Sequence, residues 1–325
     1  MSVTASAPGK VILLGEHFVV YGEPAIVLAI DRRAYVTVSM RDDDKIYIKS
    51  MDIEASGYFT DGGFSAEVGG EGAGAVLEPI MRTVKEILKL SGENVGVNVI
   101  VRSDIPVAAG LGSSAAVAVA TAGAVGKLLD ANLTRDEIFH VAYEAEKLIH
   151  GTPSGIDPAI STYGGVILYR RGEGIKNVDV RVDIPLVIGN TGVSRSTGKL
   201  VAGVGMLRSR HPSIINPIIK AGGLIVEEAL KALVNGDLEV LGELMNINHG
   251  LLYSVGVSSE ELDRLIYAAR GAGALGAKLT GAGGGGCMVA LTRRGRLIQV
   301  ADAVRRAGGE PIIAGKTDEG VRVEG

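Results

Sequence analysis

The chain has 325 residues, 46% hydrophobic and 22% charged, with a formal net charge of −4. These values are ordinary for a soluble globular protein and provide no global field for gripping nucleic acid or an anionic membrane. Any anionic ligand must therefore be held by local geometry. At this length two domains are the natural expectation. Met1–Lys10 has no apolar stretch of the kind that opens a signal peptide. The most apolar run, Ala115–Val125, is far short of the roughly 20 residues that span a bilayer. A single cysteine, Cys287, leaves no internal disulfide and fits a cytoplasmic location. The five histidines show no zinc-ligand spacing.

In chain order, short β-branched runs predict strands at Val11–Leu14, Ala25–Ile30, Tyr35–Met40 and Lys45–Ile48. Helical periodicity covers Leu77–Leu90, and a strand is expected at Val95–Val101. Ser113–Leu129 reads as a helix of small apolar residues, apolar on most faces and hence buried. Thr134 and Glu137 form a capping box that opens a helix to about Ile149. A strand at Gly165–Tyr169 precedes the polar stretch Arg170–Lys176, where a boundary is expected between domains at 1–175 and 176–325. Beyond it come a strand at Leu186–Gly189 and helices at Asn216–Val234, Leu238–Asn248 and Ser259–Gly271. The chain closes with strands at Met288–Thr292 and Glu310–Ala314 around a helix at Leu297–Ala307. The interleaving lacks regular βαβ alternation, so the expected class is α+β.

Two of the glycine clusters carry chemical meaning. Pro106–Ala115 lies between a strand and a helix, where backbone N–H groups and a helix N-terminus converge on an anion. Its plainer reading is a turn with a serine N-cap. Gly110, Gly112 and Ala115 also satisfy a dinucleotide-binding fingerprint, with Asp130 downstream. That fingerprint needs a second parallel strand after the helix; another helix follows instead. Gly281–Gly286 leads into a strand and reads as a loop close to a ligand or to another loop. A Walker A sequence is absent.

Phosphoryl transfer needs a phosphate cradle, a metal ligand, positive charge and a proton acceptor. Asp157 lies in the Gly- and Pro-rich stretch His150–Pro158, which does not look helical, and is either a base or the N-cap of a short helix starting at Pro158. Glu144 and Glu146, two apart on one helix, face different ways, so one is solvated and the other is free to serve as a metal ligand. Lys10, Glu16 and His17 bracket a strand; a lone lysine of this kind usually sits in water.

Together, Pro8–His17, Pro106–Ala115 and Lys278–Cys287 resemble the three signature motifs of the GHMP kinase superfamily, in order and across nearly the whole chain. Gly15-Glu16-His17-Phe18-Val19-Val20-Tyr21-Gly22 is most similar to the mevalonate kinases of that superfamily, whereas galactokinases usually continue Gly-Glu-His with Thr-Asp-Tyr. His150–Asp157, Ser161–Gly165 and Asn190–Thr197 resemble the same family, in its compact archaeal form. The resemblance implies an N-terminal ATP-binding domain like ribosomal protein S5 domain 2 and a ferredoxin-like C-terminal domain. It implies transfer of the ATP γ-phosphoryl group to the C5 hydroxyl of mevalonate, with Asp157 as base and Lys10 beside it. Ser114 and Glu146 would hold Mg²⁺, which decides between the two glutamates. Ser103, Ala108, Ala109, Gly110, Leu111, Gly112, Ser113 and Ser114 would line the ATP phosphates, with Glu16, His17 and Thr197 at the substrate. A homodimer is expected by the same analogy.

Overall fold

The computed structural model describes residues 2–70, 72–106, 109–150, 154–194 and 196–325. Two long antiparallel strands organise the first half, β1 (Ser2–Leu14) and β2 (Ala25–Met40), joined through a 3-10 turn at Phe18–Tyr21. The sequence pattern suggests shorter strands because Pro8, Gly9, Asp31 and Arg32 interrupt it. The ladder instead absorbs the interruption as an irregularity, shifting register between Pro8 and Gly9.

β3 (Ile46–Ser50) and the hairpin β4 (Ala55–Thr60) and β5 (Gly63–Val68) precede α1 (Ala73–Ser91) and β6 (Val97–Ser103). Helices α2 (Ser113–Leu128), α3 (Arg135–His150) and α4 (Ile156–Tyr163) come next, then the hairpin β7 (Val166–Arg170) and β8 (Gly174–Val178). The second half runs from β9 (Pro185–Asn190) through α5 (Thr197–Arg210), α6 (Pro212–Asn235), α7 (Leu238–Ser254) and α8 (Glu260–Gly271). It ends with β10 (Gly276–Leu279), β11 (Cys287–Leu291), α9 (Leu297–Arg306), β12 (Glu310–Gly315) and β13 (Arg322–Val323).

The larger sheet has the order β13-β1-β2-β6-β3-β4-β5, with β7 on the first part of β2 and β8 on β7. The smaller one, β10-β11-β9-β12, is antiparallel throughout. The architecture is α+β, and among the described residues no helix is long and apolar enough to cross a membrane. The expected boundary at 175/176 falls inside β8, which belongs to the larger sheet, and β13 returns to that sheet from the far end of the chain. Leu186 and Ile188 of β9 share one buried cluster with Val11 and Leu28 of the first half.

Local chemistry explains most of the elements. Thr134 N donates to Glu137 Oε2 at 2.8 Å and Glu137 N to Thr134 Oγ1 at 3.3 Å, so both halves of the capping box are made. Asp237 and Ser259 cap α7 and α8. α2 is buried almost all round, as its run of alanines allows; short side chains let it pack at once against β1, β2, α1, α3 and α4. The β4–β5 hairpin, α5 and the short strands β8, β10 and β13 escape the sequence pattern, and α4 starts earlier than the short helix expected from Pro158. α4 begins at Ile156 with Gly155 as its N-cap, so Asp157 sits inside the first turn and is not the cap. Pro158 is tolerated there because a first-turn N–H has no partner within the helix.

The two halves meet where Phe18, fully buried, packs on α6 at Gly222. A Cβ on Gly222 would lie 2.1 Å from Phe18 Cδ2. Alanine gains about 1 kcal/mol of helix propensity over glycine, but overpacking a closed contact costs roughly 1–3 kcal/mol. Because the clash is with a ring that has no room to retreat, overpacking wins. Gly222→Ala should therefore destabilise the protein in urea unfolding; a gain in stability would show that the contact is loose.

Candidate active site

The cleft is built around residues 9–17, the end of β1 and the turn that follows. Gly9 lets this backbone approach the glycine turn before α2: a Cβ there would lie 2.9 Å from the Leu111 carbonyl, which accepts from Lys10 N at 2.8 Å. Gly112 has φ +77°, and a Cβ on it would press on Lys10 Cγ at 2.9 Å. The glycine turn is thus shaped partly to let the Lys10 stem pass. Lys10 Nζ lies 3.2 Å from Asp157 Oδ1, with the lysine side chain 8% exposed and the aspartate 30%. Ser161, one turn along α4 from Asp157, donates to the Pro8 carbonyl at 2.8 Å and fixes α4 against β1.

Glu146 projects from α3 into the same cleft, while Glu144 points outward and pairs with Lys147 at 2.6 Å. Burial and the neighbouring negative charge of Asp157 push the Glu146 carboxyl up to about 7, against the pull of Lys10. Its Oε2 is buried with no hydrogen-bond partner among the described residues.

The far wall comes from the second half. The Thr280 hydroxyl donates to the Ile12 carbonyl at 2.9 Å and accepts from Ile12 N at 3.2 Å. His17 Nε2 donates to the Ala282 carbonyl at 2.8 Å, which leaves Nδ1 as the acceptor, and burial holds the ring below its usual range and hence neutral. His17 adopts φ 61°, a strained backbone for a residue with a side chain. Lys278 of β10 reaches across to Glu16 in an ion pair whose side chains are 0% and 1% exposed. The glycines after Thr280 serve close approach: a Cβ on Gly283 would lie 1.9 Å from the Val257 carbonyl, and one on Gly285 would lie 2.7 Å from that of Val193.

Between these walls lies a cleft of about 490 Å³. Of the residues expected there, Lys10, Glu16, His17, Gly110, Gly112, Ser113, Ser114, Glu146, Asp157 and Thr197 all line it. Ser103 does not, because its hydroxyl is used at home, donating to the Ile105 carbonyl and accepting from Ile105 N. Ala109 and Leu111 are buried beneath the turn, and Leu111 contributes its carbonyl to the Lys10 amide instead. Ala108 lies outside the described residues. Lys278 is the group that sequence reasoning passed over. Its place at the start of the third glycine motif is the only signal the sequence offers for it.

The cleft combines a helix N-terminus ringed by glycine and serine, a lysine–aspartate pair and a half-buried carboxylate with one oxygen unbonded among the described residues. Such a set can cradle phosphates and accept a proton. Comparison with known proteins agrees. The family model for the GHMP kinases N terminal domain matches residues 78–165, and that for the GHMP kinases C terminal matches residues 229–310. The mevalonate kinase of Pyrococcus abyssi is 47% identical over 99% of this chain and 98% of that protein. The crystal structure of L. major mevalonate kinase in complex with R-mevalonate superposes with a TM-score of 0.84 at 30% identity, covering 97% of this chain and 96% of that one. The Methanococcus jannaschii mevalonate kinase superposes with a TM-score of 0.83 at 26% identity, covering 98% of each chain. The chain belongs to the GHMP kinases and, within them, to the mevalonate kinase family.

Proposed function

We propose that this protein transfers the γ-phosphoryl group of ATP to the C5 hydroxyl of mevalonate, giving 5-phosphomevalonate and ADP. The observation that carries the reading is the Lys10–Asp157 pair, held at 3.2 Å in the wall of the cleft that also contains the N-terminus of α2. The division of labour follows the motifs: the N-terminal domain binds ATP, and the acceptor lies toward Glu16, His17 and Thr197.

The chain's own groups supply most of what phosphoryl transfer needs. Gly110, Gly112, Ser113 and Ser114 present backbone N–H groups and hydroxyls where the polyphosphate would lie. Asp157 takes the proton from the acceptor hydroxyl as the O–P bond forms. Lys10 keeps positive charge beside that oxygen and beside the transferring phosphoryl group, where negative charge develops. Neutral His17, its Nε2–H committed to Ala282, offers Nδ1 to a hydroxyl of the acceptor.

The orphaned Oε2 and raised pKa of Glu146 fit a divalent cation. Among the described residues there is no group of three or more His, Cys, Asp or Glu able to hold a metal. This donor set suits Mg²⁺, which usually takes one or two protein ligands and completes its shell with phosphate and water. Glu146 and Ser114 would hold it, and when bound it neutralises charge on the phosphate oxygens.

The decisive assay is ADP release with MgATP across mevalonate, phosphomevalonate, galactose and homoserine. Release with mevalonate alone is the expected result. Release with another of these alcohols would keep the phosphate site and replace the acceptor, and ATP binding without release would indicate a nucleotide-dependent sensor. Asp157→Asn should lower kcat by about 10²–10⁴ with little effect on stability; near-normal turnover would remove Asp157 as the base.

Glu146 yields a second test. Its folded pKa of about 7 exceeds the ordinary 4.5, so the folded state binds the proton more tightly. The stability this lends is fully present below about 4.5 and is lost as pH rises through about 7. Glu146→Gln should therefore stabilise the metal- and nucleotide-free protein at pH 8, by about 1–3 kcal/mol after allowing for solvent screening. The gain should vanish near pH 4, and Mg²⁺-dependent turnover should be lost. Urea unfolding at the two pH values decides, and a destabilised variant at pH 8 would contradict the assignment.

A further inference from the structure

The Lys278–Glu16 pair takes no part in the phosphoryl step, yet among the described residues it is the most completely buried ion pair. Stability is a poor reason for such a pair, because desolvating two charges offsets most of their attraction. Its hydrogen bonding is one-sided. The Lys278 ammonium donates to Glu16 Oε1 and to the Leu279 carbonyl, the latter at 2.6 Å. Glu16 Oε2 is buried with no hydrogen-bond partner among the described residues, although Glu16 lines the cleft.

A carboxylate of a cleft-lining residue, with one oxygen held by an ammonium and the other unsatisfied, is a ready acceptor. Its natural complement is a hydroxyl, since a carboxylate of the substrate would be repelled. Mevalonate carries a second hydroxyl, at C3, besides the one phosphorylated. We propose that Lys278 is a positioning residue for acceptor recognition: by holding Glu16 Oε1 it presents Oε2 to the non-reacting hydroxyl of the acceptor alcohol. This rests on the alcohol-kinase reading and adds to it the source of acceptor selectivity. A site that hydrogen-bonds a substrate hydroxyl rejects the analogue lacking it far more strongly than an apolar pocket rejects a missing methylene.

Burial pushes the Glu16 carboxyl upward, and Lys278 is the strongest influence opposing it, with a smaller contribution from Lys10 of β1. Glu146 and Asp157 line the same cleft, and His17 is neutral. Without the Lys278 charge the upward push of burial on Glu16 is opposed less, so its ionised form is harder to keep and is favoured only as pH rises.

The test compares kcat and KM for mevalonate with those for 5-hydroxy-3-methylpentanoate, which lacks the C3 hydroxyl, in wild type, Glu16→Gln, Lys278→Met and the double variant. Wild type should prefer mevalonate at least tenfold in kcat/KM, and Glu16→Gln, whose amide offers the hydroxyl only a neutral hydrogen bond, should lower that preference at every pH. Lys278→Met should lose preference and regain part of it as pH rises, with the KM for ATP unchanged. The double variant should discriminate no worse than Glu16→Gln, because Lys278 acts through Glu16. Should Lys278→Met alone fail to fold, the double variant, which buries no unpaired charge, carries this last comparison. Full discrimination in Glu16→Gln, a flat pH response in a folded Lys278→Met, or a further loss in the double variant would each overturn the proposal. A wild type that releases no ADP with mevalonate would instead sink the kinase reading itself.

Discussion

Residues 9–17 are gripped from both sides, and the cleft exists because of that grip. From one side the Leu111 carbonyl accepts the Lys10 amide. From the other, the Thr280 hydroxyl bonds both backbone groups of Ile12, Lys278 pairs with Glu16, and Ala282 accepts from His17. The same short stretch therefore positions Lys10 beside Asp157 and joins the two halves of the molecule. Its strained point, His17 at φ 61°, lies where those contacts converge and where Phe18 is anchored in the core.

Glycine makes this closeness possible. At Gly9 and Gly112 a Cβ would strike the Leu111 carbonyl and the Lys10 stem, and at Gly283 the Val257 carbonyl. The consequence is a site where charge is partly withdrawn from water. Glu146 is pushed up to about 7, and the Glu16–Lys278 pair is almost wholly withdrawn from water. Such groups oppose folding unless a partner or ligand satisfies them. They sit in a core built mainly of alanine, valine, leucine and isoleucine, and the proposed site gives them a role.

Much of this was legible beforehand, for physical reasons. The capping box at Thr134, the alanine-rich α2 and the glycine loops rest on local rules, and the structure follows them. The choice of Glu146 over Glu144 came only through family resemblance; in the structure Glu144 faces water and Lys147, while Glu146 lines the cleft. What stayed hidden depends on contacts far apart in sequence. The burial of Lys10 and the partnership of Lys278 with Glu16 join residues that no local pattern connects. Ser103 shows the converse, a residue assigned by analogy whose hydroxyl is consumed by its own turn. The helical start at Ile156 was masked by the surrounding glycine and proline, although a proline in the first turn is compatible with a helix.

The central claim is that Asp157 receives a proton and never the phosphoryl group. Aspartate can also act as a nucleophile and carry a phosphoryl group as an acyl phosphate, and the two roles differ at phosphorus. ATP made chiral at the γ-phosphorus with oxygen isotopes, turned over with the acceptor, reports which occurs. A single in-line displacement, as this account requires, gives inversion of configuration in the product. Retention would mean two displacements through a phosphorylated enzyme and would contradict the account.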